Sequence, residues 1–129
     1  MSSNNIAFKS IGTIFAFVCL LTFSSMSLAG DSDLKTMAQI MLKLNHYPSD
    51  AEKQTLKGIV SASSEAHHKT LASAMINLQH KANAADIPKL KSIVSDGKAS
   101  QSEKDMANIL LGLNHSPSDA DKAKLKNIM

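Results

Sequence analysis

Apolar residues recur at helical spacing along this chain, and one such pattern is written three times. Residues 37–46 align with residues 71–80 after 34 positions, and with residues 106–115 after 35 more. The segments that follow also match, each through a thin apolar stripe that contains Leu56, Leu90 or Leu125. A repeat of this length, made of two helical patterns, predicts a tandem array of helical hairpins.

We therefore expect an all-α protein with three tandem helical hairpins, six short helices and a repeat of about 34 residues. The hairpins are expected at about residues 34–60, 65–94 and 101–129. The first helix of each hairpin is apolar on most sides, which predicts an inner helix, whereas the second carries only a thin apolar stripe and is expected to lie outside. The array is expected to form a compact α-solenoid-like bundle, and the sequence leaves open whether it closes on itself.

A recurring corner, Leu-Asn-His-x-Pro-Ser-Asp, separates the two helices in the first and third repeats. Asn45 and Asn114 are expected to take the left-handed backbone that ends a helix. Pro48 and Pro117 cannot continue that helix, and each also pushes the residue before it out of the helical region. The corner therefore predicts a sharp helix–helix turn.

The same corners carry signals for the start of the second helix. Ser49 is followed by Glu52 three residues later, and Ser118 is followed by Asp121. A serine with an acid at this spacing predicts a capping box, in which each side chain accepts a hydrogen bond from the other residue's backbone N–H.

The middle repeat departs from this pattern. A helix capped by Asn83 would place Pro88 at its fifth position, where proline removes a hydrogen bond and clashes with the preceding turn. We therefore expect this helix to start late, with Asp86 as its cap. Gly112, in the first helix of the third repeat, costs roughly 1 kcal/mol in a helix interior, so we expect a close backbone approach there, within the fold or to a partner.

The N-terminal segment, residues 1–29, predicts an export signal. A single lysine precedes an apolar run from Ile11 to Phe23, and small residues follow up to Ala29. Cleavage between Ala29 and Gly30 would release one domain, residues 30–129, into the periplasm or the extracellular space. The apolar run is too short to span a bilayer, since a spanning helix needs about twenty residues. No stable membrane insertion is therefore expected once the signal is removed.

The composition of residues 30–129 limits the partners. They contain 13 Lys, no Arg and 11 acidic residues, which gives a net charge of +2, and Tyr47 is their sole aromatic residue. Without arginine forks or aromatic surface, nucleic acid is not an expected partner. Lys57, Lys91 and Lys126 are equivalent positions that stacking would align into a basic ridge for an anionic polymer. The alternative is that they are ordinary solvated lysines of the outer helices.

The histidines are the strongest candidates for chemistry. His46, His80 and His115 occupy equivalent positions, which suggests a metal or haem site, whereas the structural alternative is a histidine that stabilises a helix C-terminus. Stacked equivalent helices lie about 8–10 Å apart, and zinc needs each nitrogen at about 2 Å. On this geometry we expect no bound metal and no cofactor. If a metal is bound, His46, His80 and His115 are the candidate ligands.

Methionine offers a second route to a metal. Five methionines of the repeats have histidines nearby, a combination that would suit copper in an exported protein. Met37, Met75 and Met106 occupy core-type positions, where methionine fills irregular space, so we expect the methionines to be structural. The five are Met37, Met41, Met75, Met106 and Met129.

No spacing typical of an active site occurs, because the mature chain has no cysteine, no glycine-rich phosphate loop and no His-Glu-x-x-His pair. We therefore expect a small, exported, non-enzymatic helical-repeat protein that binds another macromolecule, either a protein or an anionic surface polymer. The alternative is a periplasmic metal or cofactor carrier that uses the repeated histidines.

Overall fold

Six helices and no strand occur in residues 30–129, the part of the chain that the computed structural model describes. The all-α prediction is confirmed, while the predicted export signal, including Ala29, lies outside the described residues. No helix in the described part is both long enough and apolar enough to cross a membrane. The helices are α1 (residues 30–43), α2 (Asp50–Ala62), α3 (Ala66–Ile76), α4 (Ile87–Ser95), α5 (Gln101–Gly112) and α6 (Asp119–Ile128).

Burial divides the helices into an inner and an outer set, as the apolar patterns predict. The inner helices α1, α3 and α5 bury wide faces, whereas α2, α4 and α6 bury little more than one thin stripe. Equivalent positions of the three repeats are buried together in one core. The fully buried equivalents are Met37, Leu71 and Met106, then Met41, Met75 and Leu110, and in the outer helices Leu56, Leu90 and Leu125.

The three inner helices meet at both ends. Near their starts, His68 of α3 lies 3.5 Å from Asp33 of α1 and 3.2 Å from Glu103 of α5. Beyond their ends, the three corners are hydrogen-bonded to one another. Because α1, α3 and α5 start at one common end and finish at the other, they run parallel to one another. The outer helices therefore carry the chain back to the starting end. The array thus closes into a compact bundle and does not form an open solenoid.

The tightest helix pairs differ from the predicted ones. Among helices α2 to α6, α2 packs most extensively on α3, and α4 packs most extensively on α5, whereas α3 touches α4 far less. Each of these outer helices therefore packs on the inner helix of the following repeat. The short polar joints between repeats connect the close pairs, and the two helices at the corner between α3 and α4 are splayed.

Capping boxes start three of the helices. Ser49 N donates to Glu52 Oε2 at 2.8 Å, and Ser118 N donates to Asp121 Oδ2 at 3.2 Å. Each serine hydroxyl accepts a hydrogen bond from the backbone N–H of its acidic partner. Ser100, before α5, forms the same arrangement with its own acid three residues later. These contacts satisfy backbone donors that the helix itself leaves free.

The late start of the outer helix in the middle repeat is confirmed, since α4 begins at Ile87 and Pro88 falls in its first turn. Asp86 occupies the position before the helix, but its side chain caps no N–H. Its buried carboxylate instead accepts a hydrogen bond from Asn77 Nδ2 at 3.0 Å. Asn83 Oδ1 accepts from Ala85 N at 3.0 Å and so stabilises the preceding turn.

The prediction of a close backbone approach at Gly112 is wrong within the fold. A Cβ atom built there meets nothing within 4 Å, and the same is true of Gly58 in the middle of α2. Neither glycine has a positive φ. Both residues therefore lower helix propensity without a compensating contact among the described residues.

Gly58→Ala should stabilise the protein. Alanine in an exposed helix interior is favoured over glycine by about 0.5–1 kcal/mol, which in a domain of this size raises Tm by about 2–8 °C. Calorimetry or thermal circular dichroism would measure the shift. Ala123→Gly, the reverse change at an exposed position in α6, should lower Tm by a similar amount, and a loss of stability in Gly58→Ala would contradict the open environment of Gly58.

Candidate metal centre

The corners place one histidine each in the left-handed backbone region. His46, His80 and His115 have φ values of 82°, 68° and 70°, and among the described residues no other non-glycine residue has a positive φ. The expectation that Asn45 and Asn114 take this conformation is wrong. Asparagine and histidine both tolerate the left-handed region better than most residues do. In these corners the left-handed residue is the histidine that follows the asparagine.

Backbone hydrogen bonds join the three histidines into a closed ring. His46 N donates to His115 O at 2.9 Å, His115 N donates to His80 O at 2.6 Å, and His80 N donates to His46 O at 3.1 Å. Each corner thus donates once and accepts once, and the third corner is bonded back to the first. The left-handed turn directs each N–H and C=O toward the neighbouring corners, so the ring holds the three residues around one point.

The imidazole rings converge at the same point. Ring centroids are 5.1 Å apart for His46 and His80, 5.1 Å for His46 and His115, and 4.9 Å for His80 and His115. His80 Nδ1 lies 3.0 Å from His115 Nδ1, and one nitrogen from each ring can be chosen so that all three lie within 4.8 Å of one another. The expectation that equivalent histidines stay too far apart to share an ion is therefore wrong, because the repeats surround an axis and do not stack side by side.

This triangle fits the requirements of a metal ion. Zinc binds imidazole nitrogen at about 2.0–2.1 Å, so two nitrogens on one tetrahedral ion lie closer together than two bond lengths. The separation of 3.0 Å between the Nδ1 atoms of His80 and His115 meets this condition. The three possible ligand nitrogens lie within 4.8 Å of one another, so the side chains would have to rotate before all three could bind one ion.

The triangle is also open to solvent. The cluster is half-buried at His46 and exposed at His80 and His115, so an ion can enter and a fourth ligand can reach it. Three imidazoles with an open position form the ligand set typical of reactive zinc sites.

The methionines do not contribute to this triangle. Met37, Met41, Met75 and Met106 have no exposed surface and belong to the core. Their thioethers could bind an ion only if the core opened. The donor set of the triangle is thus purely nitrogen. Such a site suits Zn²⁺ better than Cu(I), which prefers sulfur ligands.

A second polar cluster lies at the other end of the inner helices. His68 is 3% exposed, and its Nε2 lies 3.2 Å from Glu103 Oε1, while its Nδ1 faces Asp33 without a hydrogen bond. His67 Nδ1 lies 3.4 Å from the other oxygen of Glu103, and His67 Nε2 lies 3.0 Å from Asp96 Oδ2. The adjacent histidines are therefore not a chelating pair, and they instead connect α3 to α5 through one carboxylate.

Asp96 is held ionised at this cluster. The backbone N–H of Lys98 donates to its carboxylate at 2.9 Å, and His67 provides a further hydrogen bond. Both contacts favour the charged form, so the pKa of Asp96 is lowered from its ordinary value of 3.8.

The remaining predicted residues lie around the corners or apart from them. Pro48 and Pro117 are buried beneath the corners, and Ala82 is buried at the equivalent position of the middle repeat. The candidate ridge lysines are exposed on α2, α4 and α6, which do not pack against one another. These lysines, Lys57, Lys91 and Lys126, thus do not lie on adjacent helices.

Sequence reasoning missed a cavity beside the triangle. It is bounded on one side by His80 and on another by Tyr47 and Lys53. The repeat gave no signal for this cavity, because Tyr47 aligns with Lys81 and Ser116, and Lys53 aligns with Ile87 in the middle repeat although it recurs as Lys122 in the third.

Comparison of the chain with models of protein families, with curated proteins and with solved structures found no match.

The left-handed corner makes a prediction about stability. His80 has a positive φ, where alanine has a steric cost that glycine avoids. His80→Gly should therefore unfold with a free energy about 1 kcal/mol higher than that of His80→Ala. Denaturant unfolding of both variants without metal would measure the difference. At the neighbouring Lys81, whose φ is negative, the order should reverse, and the same order at both positions would contradict the corner geometry.

Asp96 makes a prediction about pH. A carboxylate with a lowered pKa contributes stability that is present above its ordinary pKa of 3.8 and is lost as the pH falls through the lower folded-state value. Asp96→Asn should therefore lose less stability than the parent between about pH 5 and pH 2. Urea unfolding across this range would show it, and parallel curves for the two proteins would contradict the lowered pKa.

Proposed function

We propose that the protein binds one divalent metal ion, with Zn²⁺ the best fit, through His46, His80 and His115. The observation that carries this proposal is the convergence of three equivalent imidazoles, with possible ligand atoms within 4.8 Å of one another. Neutral imidazole nitrogen is a common ligand for Zn²⁺, and three such ligands are enough for a site with an open fourth position.

The direction of the inner helices supports a cation at this end. The C-termini of α1, α3 and α5 all point toward the histidine triangle, and each carries roughly half a negative elementary charge from the aligned peptide dipoles. The opposite end of the same helices collects the acids Asp33, Asp96 and Glu103. A metal ion at the triangle would therefore lie at the negative end of the three inner-helix dipoles, which the outer helices that begin at the same end oppose in part.

The choice of residue at the corners also supports a role for the imidazoles. Glycine is the residue that takes positive φ without strain, and asparagine is a common second choice. All three corners have histidine in this conformation, although the backbone ring uses only main-chain atoms. A structural corner can accept histidine, which tolerates positive φ and suits a helix C-terminus, but only a shared ion requires the three imidazoles to converge.

The export signal predicted for residues 1–29 would place this site outside the cytoplasm. We therefore propose a small exported metal-binding protein, acting as a carrier or buffer in the periplasm or extracellular space, and not an enzyme. A second proposal is that it binds another macromolecule through the corner face, because Tyr47, the sole aromatic residue of residues 30–129, is 58% exposed there.

Metal analysis of the protein, purified after expression of the full chain, would test the first proposal. We expect one Zn²⁺ per chain after equilibration and dialysis, and loss of that ion in His80→Gly. Glycine suits the left-handed backbone, so this variant should stay folded. Replacing a residue that only orients a ligand commonly weakens metal binding about 10–100-fold, and removing a ligand should cost at least as much.

His67→Gln is the matched control, because it also removes one of the five histidines but lies at the other end of the inner helices. It should bind Zn²⁺ as the parent does. Stoichiometric binding that survives His80→Gly and is lost in His67→Gln would place the ion elsewhere and contradict the proposal, as would the absence of any bound ion in the parent.

A further inference from the structure

We infer that the metal centre takes a small organic carboxylate as its fourth ligand, seated in the cavity between His80 and Lys53. This inference rests on the metal site proposed above. The cavity has a volume of about 470 Å³, which is within the range of small-molecule sites, and His80 forms part of its wall. Because His80 belongs both to the cavity wall and to the histidine triangle, a ligand in the cavity would lie beside the ion.

The charge of the site calls for an anion. Three neutral imidazoles leave the two positive charges of Zn²⁺ without compensation, and among the described residues none that lines the cavity is acidic. Lys53 adds a further positive charge to the wall. An anionic ligand would neutralise both, and oxygen anions are suitable ligands for zinc.

The position of Lys53 is set by an aromatic ring. Its Nζ lies 5.5 Å from the centroid of Tyr47, the residue directly after His46 in the corner. A cation–π contact at this distance keeps the ammonium beside the cavity. The ammonium and the metal ion would then offer two positive groups to one ligand, and a carboxylate has two oxygens with which to meet them.

The size and the mixed wall of the cavity favour an organic ligand. The volume is far larger than an inorganic anion needs, Ile76 contributes a half-buried apolar surface, and Asn77, Gln79 and Asn83 contribute carboxamide groups. Ile76 can contact a short hydrocarbon chain, and the carboxamides can hydrogen-bond to a polar substituent on that chain. The class that fits is a small carboxylate, with its head on the metal and Lys53 and the rest of the molecule against Ile76 and the carboxamides.

Co²⁺-loaded protein would test this inference, because the visible absorption of Co²⁺ reports its ligands. Sodium butyrate should change the spectrum saturably. Lys53→Met should weaken butyrate binding about tenfold, the loss expected for one charge-assisted hydrogen bond, without changing Co²⁺ affinity. Lys57→Met, one turn further along α2 and outside the cavity wall, is the matched control and should bind butyrate as the parent does.

The outcomes separate the two proposals. If Co²⁺ is not bound, both are overturned. If Co²⁺ is bound at the histidines but butyrate leaves its spectrum unchanged, or if Lys53→Met binds butyrate as tightly as Lys57→Met does, the carboxylate inference is overturned and the metal site stands. Sodium phosphate should change the spectrum only at higher concentration than butyrate, and tighter binding of phosphate would overturn the organic ligand.

Discussion

The closed ring of three backbone hydrogen bonds between the corner histidines is the constraint on which the rest of the structure depends. Each corner has one N–H and one C=O directed at its neighbours, and the cycle uses all six groups. Closing it requires a left-handed residue in every corner and requires α1, α3 and α5 to end at the same place. Parallel inner helices follow, and the outer helices must then return the chain along the outside of the core.

Much of this architecture could be predicted from local patterns. The repeat, the division into inner and outer helices, the capping boxes and the late start of α4 all depend on residues within a few positions of one another. The closure of the three repeats into a ring could not be predicted, because the repeat period sets the length of a unit but not the rotation between successive units. That rotation is decided by packing between distant residues, and the error about His46, His80 and His115 followed from assuming a side-by-side stack.

The cluster at the starts of the inner helices had a signal in the sequence that reasoning along single helices overlooked. Leu34, His68 and Glu103 occupy the same position in the three repeats, which is apolar in the first and carries complementary polar groups in the other two. Comparison across the repeats would have paired His68 with Glu103. Nothing along the chain, however, indicated that Tyr47 and Lys53 would line a cavity beside His80, since Tyr47 does not recur in the other repeats and Lys53 recurs only as Lys122.

The different residues at this shared position also determine how the three units can be arranged around the core. Three copies of one unit around an axis would place three identical side chains together, and three glutamates in a buried position would repel one another strongly. In this chain Glu103 instead lies 3.2 Å from His68, and the equivalent Leu34 adds no charge. The three units are therefore not interchangeable. This position distinguishes the first, second and third unit from one another, whereas the three equivalent corner histidines do not.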